Sequence, residues 1–251
     1  MTRRAHLTVV TCDAIDGLPP MQDGRAHQVD LVTCRSNLFR EPVIVTSDLH
    51  KDALRVFEHL KGQLKAPEEW HVVTCGDMAG TTQWGEDATP LRVLEFILES
   101  FRSLNFVLGN HDTVSEAIKS LRNSDGEPCF LDKHPRELAG RRVCGVSGIM
   151  GLRRRPGRLA PDVFTEAVGE SLGEQAAQSV LFTHETPRLS GFQPSIGQDA
   201  LAVAVQQGVP AAHFFGHCHL EPIALEHHGT MFVNVDGRVL LVEPLAEDGH
   251  R

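Results

Sequence analysis

Apolar positions along the chain fall into short runs separated by amphipathic stretches. From Pro42 onward the runs are VIVTSD, HVVTCGD, NFVLGNHD, VCGVSGI, SVLFTHE and AHFFGHCH. Between them lie KDALRVFEHLKGQL, TPLRVLEFILESFRSL, TVSEAIKSLRN, PDVFTEAVGESLGEQAAQ and GQDALAVAVQQG. In LRVLEFILESF the apolar residues recur every three or four positions, as on a helix that faces a core. Strand-length apolar runs alternating with helical patterns predict an α/β fold. The tail, IALEHHGTMFVNVDGRVLLVEP, reads as antiparallel strands with glycine turns at HHGT and VDGR.

The first segment, 1–39, has a different texture. HLTVVTC and HQVDLVTC alternate apolar with polar residues, and DAIDGLPPMQDGRA between them is rich in turn formers. This predicts a β-hairpin or a pair of edge strands that extends a sheet. No repeat, low-complexity tract or linker interrupts the remainder of the chain. It therefore reads as one domain, 1–251, with an N-terminal hairpin extension over 1–39 and a core over 40–244.

Composition narrows the class. With 251 residues, 41% hydrophobic and 23% charged, the chain has the make-up of a globular protein whose core needs no disulfide staples. Cys12, Cys34, Cys75, Cys129, Cys144 and Cys218 are scattered without a CxxC pair, which suggests reduced thiols in a cytoplasmic protein. The start MTRRAHLTVVTCDAIDG is basic, but polar residues cut its apolar run too short for a secretory signal. No run approaches the roughly 18 apolar residues of a membrane span. The formal charge of −9 is weak evidence against a polyanionic partner, because bound divalent cations would offset part of it. RRRPGR, Arg153 to Arg158, is the one dense basic cluster. It reads either as a solvated loop or as a clamp for phosphate oxygens.

The chemistry lies where the runs end. Asp48 and His50 close the first, Asp77 the second, and Asn110, His111 and Asp112 the third. His184 closes SVLFTHE, and His217 and His219 close AHFFGHCH. In open α/β sheets ligands bind outside the carboxyl ends of the strands, so residues far apart in sequence would gather on one edge. Carboxylate, imidazole and amide oxygen together suit Mn, Fe or Zn. A two-metal clamp of the kind that activates water needs a bridging carboxylate, and Gly76-Asp77 offers one on a tight turn. For His71, His213, His227 and His228 the structural reading is preferred: the first two begin strands and the pair sits at a hairpin turn.

The order D-x-H, G-D, G-N-H-D, H, G-H-x-H, each after its own apolar run, resembles the calcineurin-like metallophosphoesterase family from about Pro42 to Pro244. The resemblance implies an α/β/β/α fold, a two-sheet sandwich flanked by helices, here with an extra N-terminal β-hairpin. It implies two divalent metal ions per chain, one held by Asp48, His50 and His219, the other by Asn110, His184 and His217, with Asp77 bridging. His111 would face the substrate phosphate and Asp112 would orient His111. From the residues alone, Asp112 is equally a helix N-cap for TVSEAIKSL. Lys51 and Cys218 depart from the family's usual Gly and Thr. Cys218, between two same-facing neighbours, is expected to point away from the metals.

The expected function is a metal-dependent phosphoester hydrolase, a phosphodiesterase first, with a phosphomonoesterase (phosphatase or nucleotidase) using the same site as the alternative. Substrates considered include cyclic nucleotides, nucleic acid ends, phospholipid-derived diesters and phosphoproteins. A non-catalytic scaffold of the same fold would not need His111 or every ligand position, and a mononuclear protein would not need two ligand sets.

Overall fold

The computed structural model describes residues 5–15, 29–80, 88–152 and 157–245. Along the chain run β1 (Leu7–Ala14), β2 (Asp30–Ser36), β3 (Val43–Thr46), α1 (Ala53–Gln63), β4 (His71–Thr74), α2 (Leu91–Ser100) and β5 (Ser103–Phe106). Next come α3 (Glu116–Lys119), β6 (Arg136–Leu138), β7 (Arg141–Val146), β8 (Ile149–Met150), β9 (Arg158–Leu159) and α4 (Pro161–Leu172). The last elements are β10 (Ser179–Thr183), α5 (Asp199–Gly208), β11 (Ala212–Phe215), β12 (Ala224–His227), β13 (Thr230–Asn234) and β14 (Arg238–Pro244).

The strands form two six-stranded sheets, ordered β1-β2-β14-β3-β4-β5 and β12-β13-β11-β10-β7-β6, and a small β8-β9 ribbon. Pleating divides each apolar run between two layers. In β3, Val43 and Val45 point into the space between the sheets, where they join Val73, Val143, Val180, Phe182 and Phe214. Ile44 points the other way, against Val56 and Phe57 of α1 and Leu94 and Ile97 of α2. Beyond the second sheet, Cys144, Leu181 and Phe215 pack on Phe164 and Val168 of α4 and on Leu201 and Val205 of α5. Both faces of each central strand are thus covered, which is why the runs are apolar throughout.

β3, β4 and β5 are parallel, as are β7, β10, β11 and β13. The loops after β3, β4, β5, β10 and β11 meet at one end of the sandwich. The N-terminal segment forms the expected hairpin: β1 pairs antiparallel with β2, and β2 runs parallel to β14. Val32 and Cys34 of β2 are fully buried in the core between the sheets.

Three expectations change in detail. The tail is not one antiparallel meander. β12 and β13 do form a hairpin, but β14 crosses to the other sheet and lies antiparallel to β3. An apolar run such as VLLV fits either partner, so its local pattern does not disclose this crossing. The helix expected over 113–123 shrinks to the single turn α3, whose N-cap is Ser115: its side chain accepts from the Ile118 amide at 3.3 Å. Asp112 is therefore not the cap. The helix expected over 161–178 stops at Leu172, because Gly173 adopts φ 53°, and a short 3₁₀ turn comes after it.

Candidate metal centre

Asp48, His50 and Asp77 meet at the end of β3 and β4. One potential ligand atom from each lies within 4.8 Å of the other two. The backbone is bent to present them. Asp48, His50, Asp77 and also His217 have φ of 57°, 47°, 53° and 67°, a left-handed region that side chains seldom adopt. Such conformations persist only where surrounding structure imposes them, and they concentrate at functional sites. Here the two loops brace each other: the Asp48 amide donates to the Gly76 carbonyl at 3.0 Å and the His50 amide to the Asp77 carbonyl at 2.9 Å.

The loop of Gly109 and Asn110 closes against Asp77 with no room to spare. A Cβ on Gly109 would lie 2.0 Å from Asp77 Oδ1, so only glycine fits. The His111 amide donates to that same oxygen at 2.9 Å. Gly216 makes the equivalent approach to Asp48, whose Oδ2 accepts from the His217 amide at 2.9 Å and from Ser47 Oγ at 2.6 Å.

His184 reaches this cluster from the second sheet and is fully buried. Its Nδ1 lies 2.9 Å from the Cys75 carbonyl, which can only accept, so Nδ1 carries the proton. Its Nε2 then faces Asn110 Oδ1 at 3.2 Å and Asp77 Oδ2 at 3.2 Å. In a neutral ring, three acceptor atoms converge with nothing positive between them. A proton is one remedy: burial disfavours the charged ring, yet the carboxylates of Asp77 and Asp48 outweigh it and push the His184 pKa up to about 10. A divalent cation is the other, and the hard oxygen and imidazole donors suit one. His50 gives a second sign, since its Nδ1 is buried without a hydrogen-bond partner. The donor set fits a metal, and Asp48, His50 and Asp77 could hold one.

The other expected residues take up varied positions around this cluster. The His217 ring lies 5.1 Å from that of His184, and burial followed by the His184 charge pulls its pKa down to about 4. His219 is the exception to the convergence. It is exposed; its Nδ1 donates to the Asp236 carbonyl at 3.0 Å and its Nε2 accepts from Arg238 at 2.9 Å. Both nitrogens are thus engaged by Asp236 and Arg238. Cys218 packs with the outer core of the second sheet, turned from the centre. The His111 ring is half-buried and meets the His50 ring edge-on at 5.7 Å. Asp112 does not reach it. Its carboxylate accepts from the amides of Asp77 at 2.7 Å, Gly109 at 2.9 Å and Met78 at 3.0 Å, tying the Asp77 and Asn110 loops together. Burial and then the Asp77 charge lift its pKa to about 6.

Residues 42–241 match the calcineurin-like phosphoesterase superfamily domain. The chain belongs to that superfamily. Among solved structures it resembles the protein TT1561 of Thermus thermophilus, at 15% identity and a TM-score of 0.57, over 77% of this chain and 88% of that one. At such identity the likeness concerns the fold. It also aligns with the phosphopantetheinyl hydrolase PptH of Mycobacterium tuberculosis, at 15% identity and a TM-score of 0.47, over 84% of this chain and 99% of that one. No match was found among curated proteins.

For a calcineurin-like phosphoesterase, two acidic residues beside the centre were not singled out from sequence. Asp236 bridges to Ser47 in the backbone ladder and, after burial, is the strongest charge acting on Asp48, whose pKa is raised. It comes directly after the apolar run MFVNV, just as the other site residues close theirs, a signal that the turn reading of VDGR concealed. Glu185 is buried, with one carboxylate oxygen on the Met150 amide and the other on its neighbour Thr186. Arg153, Arg154 and Arg155 lie outside the described residues. No helix among the described residues is long and apolar enough to cross a membrane.

Proposed function

We propose that the chain is a hydrolase of phosphoesters that works with two divalent cations, diesters being the first class to test and monoesters the alternative. One observation carries this reading. Asp77 belongs to two donor groups at once, with Asp48 and His50 on one side and with Asn110 and His184 on the other. In this assignment Asp48, His50 and Asp77 hold one ion, completed by His219 once its ring leaves Arg238. Asp77, Asn110, His184 and His217 hold the other. Mn, Fe and Zn suit the donors. Bound cations of this kind lower the pKa of water and balance charge on a transferring phosphoryl group.

The chain's own residues do the rest. Asp112 fixes the two loops, so the Asp77 carboxylate and the Asn110 amide keep their relative positions. Hydrolysis exchanges a phosphorus–oxygen bond to the departing group for one to water oxygen, and a proton must reach the departing oxygen. His111, half-buried with its ring free of hydrogen bonds among the described residues, is the group placed to donate it or to bond the phosphate. No covalent intermediate on the protein is required.

The test combines metal counting with a panel of Mn, Fe, Ni, Zn and Mg against a generic monoester, a generic diester, cyclic nucleotides and short DNA. Two ions per chain with metal-dependent turnover are expected, and Asp77→Asn should lower occupancy of both sites. Absence of hydrolysis under every condition would overturn the reading.

A further inference from the structure

The β8-β9 ribbon is joined to both loops that supply Asn110 and His184. The Gly148 amide donates to the Leu108 carbonyl at 2.7 Å, just ahead of the Gly109-Asn110 turn. The Met150 amide donates to Glu185 Oε2 at 2.7 Å, just after His184. Across the ribbon, Ile149 donates to the Gly157 carbonyl at 2.9 Å and Gly151 to the Leu159 carbonyl at 2.8 Å. Gly157 rides directly on the metal-site turn: a Cβ there would lie 2.7 Å from Asn110 Cα. The next residue is Arg158.

Arg158 is half-buried, yet its guanidinium has no hydrogen-bond or ion-pair partner among the described residues. Its side chain passes over Gly151, where an added Cβ would lie 3.0 Å from Nη1, so the absence of a side chain at 151 leaves it room. Its charge is among those acting on His217 and on Glu185. None of its nitrogens is among the buried polar atoms left without a partner, so the guanidinium head is open to solvent and to an anion arriving from it. A cation left unpaired beside a centre that handles phosphoesters has a ready counter-ion in the substrate, whose oxygens match the guanidinium fork.

We propose that Arg158 binds the phosphoryl group of the substrate, donating to a non-bridging oxygen beside Asn110, His184 and His217. This rests on the phosphoesterase reading for its ligand class. It makes Arg158 a determinant of substrate affinity separate from the cation ligands. A dianionic monoester should depend on it more than a monoanionic diester.

Inorganic phosphate is the probe, titrated calorimetrically into Mn-loaded wild type, Arg158→Met and Arg158→Lys, with metal content measured first. Unchanged metal content is expected, with phosphate affinity lowered about 10- to 100-fold in Arg158→Met, the scale of a lost charge-assisted hydrogen bond. Arg158→Lys should recover part of the loss. On any ester that is turned over, Arg158→Met should raise KM more than it lowers kcat. Phosphate affinity equal to wild type in Arg158→Met, no phosphate binding by wild type, or metal loss in the variant would each overturn the proposal. If wild type turns over no ester but Arg158→Met still weakens phosphate binding, the hydrolase reading falls and the anion contact stands.

Discussion

Gly109→Ala adds one methyl group at the tightest point of the centre. Gly109 does not need a left-handed backbone, so the perturbation is purely steric. The new Cβ would lie 2.0 Å from Asp77 Oδ1, 2.5 Å from its Cγ and 2.7 Å from its amide nitrogen. Ordinary contact begins near 3.4 Å. The carboxylate or the Asn110 loop must therefore move by more than about 1 Å, twice the roughly 0.5 Å within which a binding constellation must be held. Neither can move freely. Asp77 is fixed by the His111 amide and by Asp112, and it faces His184 Nε2 at 3.2 Å. Overpacking of this kind costs about 1–3 kcal/mol, and a displaced ligand support lowers metal affinity by about 10- to 100-fold. Thermal unfolding with and without Mn, together with metal content after dialysis, reads both effects. Wild type should gain about 2.7 kcal/mol at a metal concentration 100 times Kd, and Gly109→Ala should lose about half of that gain at 10-fold weaker affinity and most of it at 100-fold. Gly62→Ala is the control, since nothing lies within 4 Å of a Cβ at this site in α1, and it should stabilise by about 0.5–1 kcal/mol through helix propensity. A Gly109→Ala protein with wild-type metal affinity and the same metal-dependent shift would show that Asp77 does not hold a cation.

The same geometry sets other outcomes. His111→Ala should lower kcat by about 10²–10⁴ with metal content unchanged, because its ring lies beside the centre without bonding a carboxylate; equal loss of metal would refute that separation. Asp112→Ala strands three buried amides at about 1–3 kcal/mol each, so reduced stability and reduced metal occupancy should appear together in denaturation and metal analysis. A stable, fully loaded variant would contradict the bracing role. His213 gives a pH test away from the centre. Burial lowers its pKa to about 3 from 6.5, so the unfolded chain takes up a proton that the folded chain refuses. Its contribution is complete above the unfolded value and is lost as pH falls from 6.5 toward about 3. His213→Leu should reduce that dependence by up to about 1.4 kcal/mol per pH unit in urea titrations, while Thr183 keeps the Glu185 carbonyl as partner. An unaltered slope would show that His213 is already charged in the fold.

The chain announces its centre more clearly than its connectivity. Asp48, Asp77, Asn110 and His184 were legible because each closes a strand-length apolar run, and parallel strands place those ends together. The sandwich was legible through resemblance, since runs that are apolar throughout say only that both faces are covered. The placement of β14 beside β2 and β3 was not legible, because the apolar run VLLV in Arg238–Pro244 would suit either sheet. Arg238 escaped notice for a related reason. Its guanidinium is fully buried and shared among Leu220, Asn234, Glu221 and His219, contacts between residues that no local pattern connects. Hence the contacts His219 makes here, to Asp236 and Arg238, were not legible beside the ligand role that the resemblance implies for it.

The run of β2 alongside β14 separates two kinds of boundary. The superfamily match runs from 42 to 241, whereas the strand pairing of the first sheet continues into β1 and β2. Excising the matched segment would strip the β2 main chain from Arg238–Leu241, remove the rest of β14 and open a cavity where Val32 and Cys34 had been. The cut piece would display a bare, apolar strand border, a template for pairing with another copy of itself. Expression trials on the minimal segment should therefore give aggregates. The residues outside the family match act here as the cover on that border.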